Sequence, residues 1–136
     1  MWTQPFDAML DRVTVNCLIV DDSTRFLELA SSLLERDGIK VVGTASSATE
    51  ALARAADLLP AVVLVDIDLG GESGFELTRD LAKVDTVVIL IASHAEADFT
   101  DLIEASPAVG FIPKAALSAR AVYDLVGGDG KSQADD

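Results

Sequence analysis

Five short apolar runs rich in β-branched residues, each followed by a stretch of helical periodicity, restrict the fold of this chain more than any other feature. The runs are Val15 to Val20, Lys40 to Thr44, Val62 to Val65, Val87 to Ile91, and a weaker one from Gly110 to Ile112. In the third, VVLVD, the side chains are apolar on both faces, so the strand belongs inside a sheet and Asp66 marks where the chain reaches water. Between the runs, Phe26, Ala30, Leu33 and Leu34 recur at helical spacing behind a cap at Ser23 and before a stop at Gly38. Ala48, Ala51, Leu52, Ala55 and Leu59 form a second stripe before Pro60. A third helix is expected from Gly74 through Leu77 and Leu81, a fourth with Phe99, Leu102 and Ile103 on one face, and a fifth carrying Leu117, Ala121 and Leu125.

Strict β-α alternation with short connections implies a parallel sheet, and right-handed crossovers place helices on both of its faces. Five strands are too few for a closed eight-stranded barrel. The expectation is therefore an α/β three-layer sandwich: a doubly wound five-stranded parallel sheet of order 2-1-3-4-5, the flavodoxin-like arrangement. With 136 residues the chain fits one domain, expected over residues 14–126, with no room for an output domain. The tail VGGDGKSQADD lacks apolar periodicity, and residues 127–136 are expected to be a disordered acidic tail. In residues 1–13, Phe6, Met9, Leu10 and Val13 fall at i, i+3, i+4 and i+7, which suggests a short amphipathic helix; an extended leader fits equally well.

The single cysteine, Cys17, cannot form an internal bridge and lies in an apolar run, as expected of an inert core residue in a reducing compartment. No stretch approaches the apolar length that spans a bilayer, so no membrane partner and a cytoplasmic location are expected. A net charge of −13 argues against a nucleic-acid partner.

Some of the acids occupy positions that solubility does not require. The first strand also ends in carboxylates, Asp21 and Asp22, and in a 2-1-3 sheet its end lies beside Asp66. Like charges this close repel, so the cluster needs a cation or raised pKa values to persist. Hard oxygen ligands with open water positions suit Mg²⁺. Lys114, after the fifth strand, reaches the same sheet edge as a point charge able to pair with an anion or with Asp66. Each piece alone is commonplace; their collection at the C-terminal strand ends of one sheet, where open α/β folds bind ligands, is not.

The segments LIVDDS at 18–23, VLVDIDLGGESGFEL at 63–77 and GFIPKAAL at 110–117 resemble the response-regulator receiver domain of two-component signalling, over roughly residues 14–126. The resemblance implies Asp66 as phospho-acceptor and Asp22 as a direct Mg²⁺ ligand with Asp21 nearby or water-bridged. It further implies the Asp68 backbone carbonyl as another ligand, Lys114 as the phosphoryl-binding lysine, and Phe111 as the aromatic whose rotamer reports activation. The donor would be a sensor histidine kinase, a histidine phosphotransfer protein or a small acyl phosphate. An output protein would meet the face of the fourth and fifth helices, and a homodimer is possible. The chain would take part in phosphoryl transfer to its own Asp66 and hydrolyse it slowly, without being an enzyme in the turnover sense. Asp68 and His94 fall where receivers tune dephosphorylation.

Two departures stand out. Counting back from Lys114 without a gap, the position where receivers keep a Thr or Ser is Ala92; the adjacent Ser93 is expected to point elsewhere. The proline that usually follows the lysine is replaced by Ala115, with Pro113 preceding instead. Switching is therefore expected to be altered. Two other readings use the same residues. VLVDIDLG also resembles the strand and DxD signature of haloacid-dehalogenase-type phosphatases, in which Asp68 would be the general acid. Ala92 is also compatible with a pseudo-receiver that signals without phosphorylation.

Overall fold

The computed structural model describes residues 15–93 and 99–135. Five strands, β1 (Asn16–Val20), β2 (Lys40–Ala45), β3 (Val62–Asp66), β4 (Val87–Ala92) and β5 (Gly110–Pro113), form one sheet of order β2-β1-β3-β4-β5. Every pairing within it is parallel. The helices are α1 (Thr24–Arg36), α2 (Ala48–Leu58), α3 (Gly74–Leu81), α4 (Thr100–Ala105) and α5 (Ala119–Asp135). This is the expected doubly wound sandwich.

The sheet separates two apolar clusters. Leu18, Val20, Val63, Val65, Val88 and Leu90 face α2 and α3, whereas Cys17, Ile19, Val62, Leu64, Ile89 and Ile91 face α1 and α5. Alternation along each strand deals its residues to the two sides. Val62 to Val65 are all 0% exposed, and each such side chain contributes about 1.5–3 kcal/mol on burial, which anchors the strand that ends in Asp66. Cys17 is equally buried, and burial pushes its thiol up to about 12, so it stays protonated and unreactive.

Helix starts follow from capping. Ser23 Oγ accepts from the Phe26 N–H, Ser47 Oγ from Glu50, and Ser73 Oγ from Phe75 and Glu76. Helix α1 ends before Gly38, whose φ of +102° is the left-handed geometry that glycine adopts freely.

Several details differ from the sequence reading. The α2 stripe stops at Leu58: Leu59 precedes a proline, which disfavours helical backbone, and takes φ +49° as an exposed C-cap. In α4 only Ile103 is buried, because the helix is a short surface segment; Phe99 packs on the core from its N-cap and Leu102 faces solvent. Leu117 is buried ahead of α5, after a 3₁₀ turn at Lys114–Ala116, rather than within the helix. Helix α5 continues through residue 135, into the segment assigned above to a disordered tail. A two-stranded antiparallel hairpin, Asp68–Leu69 with Glu72–Ser73, is too short to leave a periodic signal. Residues 1–13 and His94 lie outside the described residues, so the amphipathic arm and the rate-tuning histidine are neither supported nor opposed.

Candidate functional site

The C-terminal ends of β1, β3 and β5 deliver Asp21, Asp66 and Lys114 to one point. Lys114 Nζ lies 2.6 Å from Asp21 Oδ2 and 3.2 Å from Asp66 Oδ2. Asp21 is 0% exposed, and its Oδ2 lies directly against that ammonium. Its other oxygen accepts the Ser23 N–H at 2.8 Å, tying the end of β1 to the cap of α1. Asp66 Oδ1 accepts the Asp68 N–H at 3.2 Å.

Burial, and then the neighbouring Asp21 charge, push the Asp66 carboxyl up to about 6, against the opposing pull of the Asp68 N–H and Lys114. For Lys114, burial lowers the affinity for a proton, but the bonds and charges of Asp21 and Asp66 outweigh it and hold the ammonium above its ordinary range. One lysine thus offsets two buried carboxylates. A third acid, the exposed Asp22, completes a set of carboxylate oxygens lying within 4.8 Å of one another.

A net negative cluster of hard oxygens, open to water on the Asp22 side, matches what a small divalent cation requires. The loop beyond it is shaped to leave that space. Gly70 has φ +58°, and a Cβ there would come within 2.8 Å of Asp22 Oδ2. Asp66, Asp68, Gly71, Glu72, Ser73, Ala92, Ser93, Phe99 and Lys114 line, with Asp22, an open cleft of about 670 Å³.

All the acids and the lysine named from the sequence therefore meet in one place, and Ala92 lines the same cleft. Phe111 does not line it; half-buried on β5 in register with Leu90, it packs against the cluster that contains Ala92 and Ile103. Ser93 is exposed and stands among the residues that line the cleft. Two further participants went unnoticed. Phe26, in the first turn of α1, places its ring under Lys114, with Nζ 4.6 Å from the ring centroid, a cation–π contact that limits the directions open to the ammonium. Glu72 accepts the Ala48 N–H at 2.9 Å, fastening the hairpin to the N-terminus of α2. Phe26 reads as one more apolar residue on a helical stripe, and Glu72 bonds a residue 24 positions away, beyond the reach of local pattern.

The family model of the response regulator receiver domain matches residues 17–123, nearly the whole of the described sheet and helices. The chain belongs to the response regulator receiver family. The response regulator GacA of Pseudomonas viridiflava is 33% identical over 114 residues, which make up 82% of this chain and 53% of that protein. A protein-glutamate methylesterase/protein-glutamine glutaminase of Moorella thermoacetica is 39% identical over 106 residues, 75% of this receiver and 25% of the longer protein. The receiver thus spans about half, or less, of the length of these curated relatives. Among solved structures, the signal receiver domain of the response regulator NarL from Mycobacterium tuberculosis matches with a TM-score of 0.76 at 27% identity, covering 85% of this chain and 98% of that one. A CheY-like receiver domain from Methanospirillum hungatei matches with a TM-score of 0.72 at 25% identity, covering 90% and 98%. Among the described residues no helix of this receiver is long and apolar enough to cross a membrane.

Proposed function

We propose that this receiver accepts a phosphoryl group on Asp66 from a histidine kinase or a histidine phosphotransfer protein, and passes the signal to an output partner through the α4–α5 face. The observation that carries the reading is the Lys114 ammonium bridging Asp21 and Asp66 at the floor of an open cleft, with Asp22 close enough to share a cation. A carboxylate oxygen of Asp66 attacks phosphorus, the bond from phosphorus to the donor imidazole nitrogen breaks, and the imidazole leaves with its electron pair. An acyl phosphate remains. Lys114 is placed to neutralise charge on the transferred group, and Asp21 and Phe26 hold Lys114 in position. Asp22, Asp66 and the Asp68 carbonyl would hold Mg²⁺, which supplies further charge neutralisation when bound. The Asp66 N–H partner at Asp68 fixes the carboxylate plane. None of this requires a nucleotide pocket.

Incubation with acetyl phosphate and Mg²⁺, read by intact mass, is expected to add one phosphoryl group. An unmodified mass would instead favour the pseudo-receiver reading, which the methyl side chain of Ala92 in the cleft wall supports. Sustained turnover of an aryl phosphate would favour the phosphatase reading. Because Mg²⁺ binds only the folded cluster, it is expected to raise the melting temperature, by about 1.4 kcal/mol of stability at tenfold excess over the dissociation constant, and Asp22→Ala should remove most of that response.

The cleft continues past Lys114 into an apolar groove lined by Phe26, Leu29, Leu33, Ala115 and Leu117, with Leu29 61% exposed. A protein donor must bring its phosphohistidine to the cleft mouth, and this groove, sharing Lys114 with the cleft, is the adjoining apolar surface for it to cover. Leu29→Asp is expected to slow transfer from a phosphorylated kinase or phosphotransfer protein at least tenfold while leaving labelling by acetyl phosphate unchanged. Equal slowing with both donors would place Leu29 in folding rather than docking.

A further inference from the structure

We propose that Phe26 is a positioning residue for phosphoryl transfer: the electron-rich face of its ring is a seat on which the Lys114 ammonium turns from the acceptor carboxylate to the arriving phosphoryl group. The inference rests on the reading of Asp66 as acceptor and adds a residue that neither bears that group nor holds the cation.

The Lys114 ammonium meets Asp21 Oδ2 at 2.6 Å, Asp66 Oδ2 at 3.2 Å and the centroid of the Phe26 ring at 4.6 Å. Ring and Asp21 belong to one frame, built through Ser23. The Ser23 N–H donates to Asp21 Oδ1 at 2.8 Å, and Ser23 Oγ accepts the Phe26 N–H at 3.2 Å. Phe26 is also half-buried against the apolar cluster beneath α1, so the ring stands on fixed ground.

Lys114 needs such a support because it has a choice of surroundings. Its flexible stem lines the cleft with Asp66 and also the apolar groove with Phe26, Leu29 and Leu33. During transfer the ammonium must exchange Asp66 Oδ2 for a phosphoryl oxygen, and Asp21 and the ring are the contacts that persist. A ring face attracts a cation through its quadrupole without prescribing the direction of the N–H groups, so the ammonium can turn upon it. A further carboxylate in that place would hold the lysine harder, but it would add negative charge to a site that has to admit an anion. A leucine there would pack without attracting the cation.

The test follows labelling of the full chain by acetyl phosphate with Mg²⁺, a donor too small to cover the groove; its phosphoryl group passes to Asp66 and acetate leaves. Phe26→Leu is expected to label about fivefold more slowly, the weight of one partly desolvated cation–π contact, with Mg²⁺ affinity unchanged. Phe26→Tyr, which keeps the ring face, should label nearly as fast as the parent. Pentafluorophenylalanine at position 26 keeps the shape of the ring but reverses the charge of its face, and should slow labelling at least as much as leucine. In the parent, the ring current should displace the Lys114 side-chain proton signals, and that displacement should vanish in Phe26→Leu. If the pentafluorinated protein labels at the parent rate, Phe26 only fills space; if Phe26→Leu is slowed only with phosphohistidine donors, as expected for Leu29→Asp, it serves docking. Either result, in a parent that labels at Asp66, overturns the assignment of Phe26 alone. A parent that acetyl phosphate does not label overturns the acceptor reading, and this role with it.

Discussion

Asp66→Asn is expected to abolish phosphoryl labelling and, in the metal-free protein at pH 7, to be more stable than the parent. Loss of labelling follows from removing the attacking oxygen; a variant that labels as well as the parent would refute the assignment of Asp66. The gain in stability follows from proton linkage. With its pKa raised from 3.8 to about 6, the folded carboxyl keeps a proton that the unfolded chain has already released between those values. Stability therefore falls as pH rises through that window, and the full penalty is present above it. Asparagine has no such penalty. Two pKa units correspond to nearly 3 kcal/mol, which screening in an open cleft reduces to about 1–2 kcal/mol. The advantage should shrink to nothing near pH 4, and saturating Mg²⁺ should reverse it at pH 7. Thermal melts of both proteins across pH 4 to 8, with and without the metal, give the comparison.

Lys114→Met is expected to be strongly destabilising, by about 3 kcal/mol at pH 7, despite replacing one long flexible side chain with another. Asp21 is fully buried and Lys114 is the cation against it at 2.6 Å, so the substitution leaves a buried carboxylate without a counter-charge. Adding Asp21→Asn should recover most of the loss, because the charge disappears while an oxygen remains to accept the Ser23 N–H. The two losses should be strongly non-additive in urea melts. Additive losses would mean that the pair is not coupled and that Lys114 acts only on Asp66.

The sheet was legible in the sequence because its strands are buried on both faces: NCLIV and VVLVD cannot be amphipathic helices, and their first polar residues mark the ligand edge. Asp21, Asp22, Asp66 and Lys114 could be grouped from topology alone, since each stands where a strand ends. Identity of contacts was less accessible. That Asp21 rather than Asp66 is the closer partner of Lys114 depends on side-chain reach, not on order along the chain. Phe26 and Leu33 carry the same apolar signal, yet one sits under an ammonium and the other lines only the neighbouring groove. Leu59 satisfied the helical spacing and failed the stereochemistry imposed by Pro60.

Gly74 opens α3, yet its position is decided by β3. A Cβ at 74 would lie 2.1 Å from the Asp66 carbonyl oxygen, and the Gly74 N–H donates to the Ile67 carbonyl at 2.8 Å. The seven residues between Asp66 and Gly74 therefore form a buckle: a stretch of fixed count whose two ends touch. Its length cannot drift as surface loops do, because a residue gained or lost beside either end would open the contact or drive backbone into backbone. Spacing between Asp66 and this glycine is thus a dimensional tolerance of the fold, and engineered insertions into the hairpin should be borne at its tip, near Gly71, where an added Cβ meets nothing within 4 Å, only if they leave both ends of the buckle closed.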